Sequence, residues 1–444
     1  MSELTGPGDD ALGHAVPTTC PEAEMVSVRT SKHQVLWFKR LWAFASKRRF
    51  RLLTLSNLGF AQVMTIVLGV LSSSLWARGV PVETYGQYQV IMSLIAIVGA
   101  YCLPGLGESI TISAAKRYDG NLTTILKLKL GAAYVGSLVL VGAGFFYRAS
   151  QPELAAGIYL VALLFPLYQL NVVWSPWLIG RNELSRRAFL SVAGHVILIG
   201  ALGTLILADR RALGELVVGV IGLQALFSLA IVVYILRHRM NRLTHNDTIK
   251  YGFHSSAAIL LEGLVATDKV IINHRLSAAD VAVYSVALVF FTQAKSVYSI
   301  FNQMITPRIY KADSVAEAWT YLKGKLGLLI LFFTLIGLAG FATIPILVPL
   351  LFSERYAAAA PYGKWLWLGS SVTTPTMYLA NILRSQKKVK FVYMLSLGHP
   401  VLQFVLFLGL VQYGVMGMVM AKILARIALA IFYTASFLYY FYFE

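Results

Sequence analysis

The chain has 444 residues, 57% of them hydrophobic and 13% charged, and its 38 Lys and Arg against 20 Asp and Glu give a formal net charge of +18. A mean hydropathy of +0.68 excludes an ordinary soluble domain. Two cysteines, Cys20 and Cys102, exclude a disulfide framework.

Residues 1–51 read as a cytoplasmic tail. Residues 1–31 are rich in Gly, Pro, Thr and acidic side chains without apolar periodicity, the composition of a disordered segment. The stretch HQVLWFKRLWAFAS at 33–46 mixes Trp37, Leu41, Trp42 and Phe44 with Lys39 and Arg40, which predicts an amphipathic helix in the membrane interface. Apolar stretches then follow at about 52–76, 87–106, 126–146, 155–179, 188–207, 214–236, 253–273, 279–303, 325–348, 363–383, 391–410 and 413–438. A helix needs roughly 20 mostly apolar residues to cross the hydrocarbon core. The predicted fold is therefore all-α and integral to the membrane, with twelve transmembrane helices. The first span begins only around residue 52 and is full length, so it is expected to act as an uncleaved targeting signal.

Basic residues alternate in density between these spans. The amino-terminal segment and the even-numbered gaps together hold 27 Lys and Arg, the opposite side holds seven, and four lie inside spans. Because the positive-inside rule counts Lys and Arg in short loops, both termini are expected to be cytoplasmic, in a cell inner membrane. The excess charge then serves orientation and anionic lipid headgroups, not nucleic acid.

The basic loop at 237–252 divides the chain into an amino-terminal lobe (52–236) and a carboxy-terminal lobe (253–444) of six spans each. VETYGQYQVIMSL (82–94) lies over AADVAVYSVALVF (278–290), matching Tyr88 to Tyr284, and FLSVAGHVILIGAL (189–202) lies over YMLSLGHPVLQFVL (393–406), matching His195 to His399. Six spans per half place both repeats in the same orientation, with a central cleft between the lobes and alternating access by rocking. No GxxxxGK[ST], HExxH or CxxC motif occurs, so neither ATP hydrolysis nor a metal cofactor is expected.

Ionisable groups at membrane depth cost about 2.5–3.5 kcal/mol on insertion scales and default to functional candidates. Span seven carries Glu262 near the midplane and Asp268 and Lys269 nearer its outer end, span eight carries Lys295, and span twelve carries Lys422 and Arg426. The last two, four residues apart, share one helix face. Either they pair with Glu262 or Asp268, or with Lys295 they form a cationic cavity for an anionic headgroup, where Arg supplies a planar fork and Lys a point charge. Glu262 is the candidate coupling site for a proton or sodium ion, a permanent salt bridge being its alternative. Lys269 suits snorkelling, Glu108 interface water, and His195 and His399 packing, while Trp174, Trp177, Tyr439, Tyr440 and Tyr442 suit an interfacial belt.

NLGFAQ (57–62), VPVETYGQYQVIMSL (80–94), LGESITISAAKRYDG (106–120) and WLIGRNELSRRAF (177–189) together resemble the Wzx-type polysaccharide flippases of the multidrug/oligosaccharidyl-lipid/polysaccharide exporter superfamily over roughly residues 52–440. The resemblance implies a non-enzymatic carrier that moves undecaprenyl-diphosphate-linked oligosaccharide to the outer leaflet. It also implies a polysaccharide polymerase and a chain-length regulator as partners. Its cationic cavity maps by position onto Lys295, Lys422 and Arg426. The competing readings are a cation-coupled drug antiporter or a lipid II flippase of the same superfamily, and a membrane glycosyltransferase. Span one offers Asn57 and Gln62 but no acid for the antiporter, and the longest outer gap, about 349–362, has only Glu354 for the enzyme.

Overall fold

The computed structural model describes residue 60 and residues 63–443, apart from 239, 240 and 387. The expected tail, interfacial helix and start of span one lie outside the described residues. Every regular element described is helical, and each of the twelve expected spans falls on a helix or on a helix interrupted by a short break.

Span one is α1 (Val63–Gly79). Span two is α2 (Val82–Tyr101), which turns through 64° into α3 (Leu106–Ala115). The bend follows from the local sequence: Leu103 takes a left-handed φ of 55°, and Pro104 has no amide hydrogen with which to continue a helix. Spans three to five are α4 (Gly120–Tyr147), α5 (Pro152–Tyr168) with α6 (Asn171–Gly180), and α7 (Leu184–Leu207). Span six begins as α8 (Leu213–Leu216), widens to a π-helical turn over Val217–Gly222 and continues as α9 (Leu223–His238).

Span seven is the most broken: α10 (Asn246–Ala258), a 3-10 stretch over Leu260–Thr267, then α11 (Asp268–Arg275). Span eight is α12 (Ala278–Ile309), whose N-cap Ser277 accepts from the Asp280 amide. Span nine is α13 (Val315–Phe352). Span ten is α14 (Ala359–Thr373), a 3-10 turn at Thr374–Thr376 and α15 (Met377–Ser385). Spans eleven and twelve are α16 (Val389–Leu410) and α17 (Gly414–Phe443).

Six stretches are long and apolar enough to cross a membrane unaided, and the bent pair of α2 and α3 makes a seventh. The longest of the six runs from 390 to 443 and is two crossings. The chain reverses at Gly414, whose φ of 70° suits glycine, and α16 packs along α17. The remaining expected spans fall short of that criterion for identifiable reasons. The described part of α1 is short, breaks divide spans seven and ten, and α12 carries Asp280, Gln293 and Lys295.

Two lobes result, α1–α9 and α10–α17. Their main meeting line is α2 against α12. A Cβ at Gly86 would sit 1.8 Å from the Ala278 carbonyl oxygen, so this crossing admits only glycine. Trp76 stacks on Tyr88 with ring centroids 4.0 Å apart, and Tyr85 meets Tyr356 of the other lobe edge-on at 6.3 Å. At the same end Arg78 donates to the Leu350 and Leu351 carbonyls, and Arg355 donates to the Arg78 carbonyl at 3.0 Å. The end bearing few basic residues is thus held shut by lobe-to-lobe contacts.

The basic end is joined across the lobes as well. The Gly105 amide donates to Ser256 Oγ at 3.0 Å and Ser109 Oγ to the Thr248 carbonyl at 2.6 Å, seating α10 on α3. Glu108 accepts from Ser255 Oγ at 2.8 Å, so the side chain expected in interface water also joins this seam. Beyond it, the strand of chain between the lobes is laced to the α3–α4 turn. The Gly120 amide donates to the Leu243 carbonyl and the His245 amide to Asn121 Oδ1, both at 2.9 Å. Asp119 pairs with Arg181 and accepts from the Asn241 amide at 3.2 Å.

Candidate functional site

A cavity of about 560 Å³ opens within the second lobe. The helical repeat explains its lining. On α17, Lys422, Arg426, Leu429 and Tyr433 recur at three- and four-residue intervals, and on α12 Phe291, Lys295 and Tyr298 do the same. Glu262, Val265 and Ala266 come from the 3-10 stretch, Met377 and Arg384 from α15, and His399 and Gln403 from α16. Among the described residues every lining group belongs to the second lobe.

Three cations converge on one aromatic ring. Lys295 Nζ lies 4.7 Å, Arg426 Cζ 5.0 Å and Lys422 Nζ 5.9 Å from the centre of Phe291. Each cation–π contact contributes about 0.5–2 kcal/mol, which softens their mutual repulsion without cancelling it.

Only Lys422 is neutralised. Its ammonium pairs with Asp268 and donates to Tyr284 Oη at 3.1 Å. Tyr284 Oη in turn donates to Asp268 Oδ2 at 3.0 Å, and the Lys269 amide donates to Oδ1 at 2.9 Å. Both Asp268 oxygens are therefore occupied. Lys295 and Arg426 have no carboxylate within 4.0 Å among the described residues, and neither does Glu262 have a cation. Arg426 Nη1 lies 4.0 Å from Met377 Sδ.

Of the residues singled out in the sequence, Lys295, Lys422, Arg426 and Glu262 share the cavity wall, with Asp268 directly behind Lys422. The two acids divide: Asp268 takes the lysine and Glu262 faces the cavity. Other expectations are corrected. Lys269 does not snorkel, since its Nζ donates to Gln89 Oε1 on α2 at 2.6 Å and so ties the lobes together. Trp174 and Trp177 are not belt residues but first-lobe core, 6% and 2% exposed. Tyr439 and Tyr442 are exposed. His399 lines the cavity, whereas His195 turns Nδ1 to the Ser191 carbonyl of its own helix at 2.8 Å and borders a separate first-lobe pocket.

Sequence reading missed Arg384, counted among the loop cations, although its position in the last turn of α15 places it on the cavity wall. It also missed Lys129, counted as a loop cation but buried inside α4. The signal was already in the sequence, because Lys129 falls inside the apolar stretch 126–146 used to place that span.

No protein-family model matches the chain, and no curated protein matches it. Solved structures do. A multidrug resistance MATE family transporter of the MOP superfamily, in its inward-facing conformation, superposes with a TM-score of 0.65 at 14% identity, covering 85% of this chain and 96% of that one. An outward-facing MATE family transporter gives 0.63 at 14% identity, covering 87% and 94%. A MOP superfamily transporter from Pyrococcus furiosus, described by a binding pocket of reversed polarity that suggests a different function, gives 0.59 at 15% identity, covering 87% and 96%. At these identities the likeness establishes the fold: an all-α membrane protein of two six-helix lobes.

Proposed function

We propose that this chain is a flippase that carries undecaprenyl-diphosphate-linked oligosaccharide across the cell inner membrane by alternating access, for surface or secreted polysaccharide. The observation that carries the reading is the pair Lys295 and Arg426, two cations with no carboxylate within 4.0 Å among the described residues, aimed with Lys422 into one membrane-embedded cavity. Unpaired charge at that depth is costly, and an anionic ligand removes the cost. A diphosphate offers the two charges and the acceptor oxygens that an Arg fork and a Lys point charge fit.

Moving a glycan headgroup bare through hydrocarbon would strand its hydroxyls without partners. A polar cavity open toward lipid holds the headgroup while the polyprenyl tail stays in the bilayer. The shared fold with transporters solved facing inward and facing outward supports rocking lobes as the means. With the basic loops in the cytoplasm, both termini lie there. The delivered glycan would pass to a polymerase and a chain-length regulator. Because Asp268 is held by Lys422, Glu262 is the group we assign to a coupling proton or sodium ion.

A cation-coupled drug antiporter is less well supported. The charged lining comprises Lys295, Arg384, Lys422 and Arg426 against Glu262 alone, a field that repels organic cations. A neighbour in the same fold is described by reversed pocket polarity, which accords with a change of substrate sign on this scaffold. Replacing Lys295 and Arg426 singly by Ala, in cells that depend on this chain for surface glycan, is expected to abolish the glycan while membrane levels of the protein hold. Normal glycan in both variants would refute the reading.

A further inference from the structure

A second cavity, about 410 Å³, lies in the first lobe between α2, α3, α4 and the α5–α6 segment. Lys129 projects into its wall while only 4% exposed. The tenth residue of α4, it sits about 13–14 Å along that helix from Gly120, three residues inside the apolar stretch. Among the described residues no carboxylate comes within 4.0 Å of it. The two acids nearest to it in sequence are engaged elsewhere: Asp119 pairs with Arg181 and accepts from the Asn241 amide, and Glu108 accepts from Ser255 Oγ on the exposed side of α3. Cys102, the other ionisable group beside Lys129, directs its Sγ to the Val98 and Ala132 carbonyls.

The rest of the lining is suited to a small polar ligand. Gln169 is buried, and it and its neighbour Tyr168 share the cavity wall with Lys129. Gly99 and Gly107 leave the wall without side chains where they face it. Under the offset that lays Tyr88 over Tyr284, Gly99 corresponds to Lys295, so each lobe has a cavity beside the same helix position, but the cation comes from a different helix in each. Under the same offset Lys129 lies over Lys325, which packs on the Tyr321 ring of its own helix and takes no part in the second-lobe cavity.

We propose that the first-lobe cavity is a second anion-binding site, centred on Lys129, for a singly charged oxyanion: a sugar carboxylate or a phosphate group. One cation matches one charge, in contrast to the cluster in the second lobe. The proposal stands on Lys129 and its cavity and holds whichever substrate the second lobe carries.

The test uses the full chain in detergent with Cys20 and Cys102 replaced and Ala96→Cys introduced, because Ala96 is an exposed lining residue on α2. Modification rates are compared for anionic and cationic methanethiosulfonate reagents of similar size. With Lys129 present, the anionic-to-cationic rate ratio should exceed that of a free thiol by about tenfold, and it should fall toward the free-thiol value in Lys129→Met. Lys129→Arg should keep it high, which separates charge from packing. Glucuronate or inorganic phosphate at matched ionic strength should slow the anionic reagent, and the more effective of the two identifies the source of the oxyanion. A free-thiol ratio with Lys129 present, a ratio indifferent to Lys129→Met, or no protection by either anion would overturn the proposal. The first of these needs no variant at position 129, so a misfolded Lys129→Met leaves the test intact.

Discussion

Replacing Asp268 by Asn should expose how much of the second lobe rests on a single buried ion pair. The Asp268 and Lys422 side chains are 6% and 10% exposed, and Asp268 also accepts from Tyr284 and from the Lys269 amide. Asn keeps an acceptor but removes the charge, leaving the Lys422 ammonium buried beside Lys295 and Arg426 above Phe291. Stripping one partner from a buried pair costs about 3–5 kcal/mol. Lys422→Met should cost less, about 1–3 kcal/mol, since the carboxylate it leaves keeps a phenol, one amide and the nearby Lys269 charge. The double variant Asp268→Asn/Lys422→Met removes both charges together and should recover most of the loss, to within about 1–2 kcal/mol of the parent. Thermal unfolding of the four purified proteins forms a closed cycle whose coupling term measures the pair. If the double variant is as unstable as the sum of the singles, the two groups do not neutralise one another and the assignment of Lys422 fails.

Gly86→Ala should separate α2 from α12, because its new Cβ would overlap the Ala278 carbonyl; a melting temperature and glycan output equal to the parent's would contradict the crossing. Asp119→Ala should release the Asn241 amide and the Arg181 pair, so hydrogen exchange over residues 241–248 should quicken, and unchanged protection there would show that the lacing is unimportant. Arg426→Lys, which retains charge but loses the planar fork, should keep a fraction of the glycan that Arg426→Ala loses; equal output from the two would mean that shape, not charge alone, is being read.

Hydropathy and loop charge were enough to place the spans because the bilayer imposes one length on every helix and the positive-inside rule imposes one sign on every second loop. What they left out follows from the same averaging. A window that registers apolar content does not register the 3-10 stretch of span seven or the π-helical turn of span six, since neither changes composition. The grouping of Lys422 with Arg426 was legible from their four-residue spacing. Asp268 was one of two acids offered as a partner, and which of the two pairs was not legible, because pairing depends on helix ends. With α11 ending at Arg275 and α17 beginning at Gly414, Asp268 and Lys422 both lie about 10–12 Å inside those ends, at matching depth. Lys129 and Arg384 were counted as loop residues because a basic side chain near a span boundary looks the same whether it points to water or inward. The YGQY segment, part of one of the four stretches that carry the resemblance, joins the lobes and lies apart from the cavity.

The glycine crossing at Gly86 has a mechanical consequence. A point where two backbones touch with no side chain between them resists sliding but tolerates swivelling, and it lies at one extremity of α12. That helix has 32 residues, an arm of about 48 Å. A swivel of about 10° at the crossing would carry the far end of such an arm through about 8 Å, a distance comparable to the width of a sugar ring with its hydroxyls. A contact a few atoms wide is thereby converted into an aperture of molecular size.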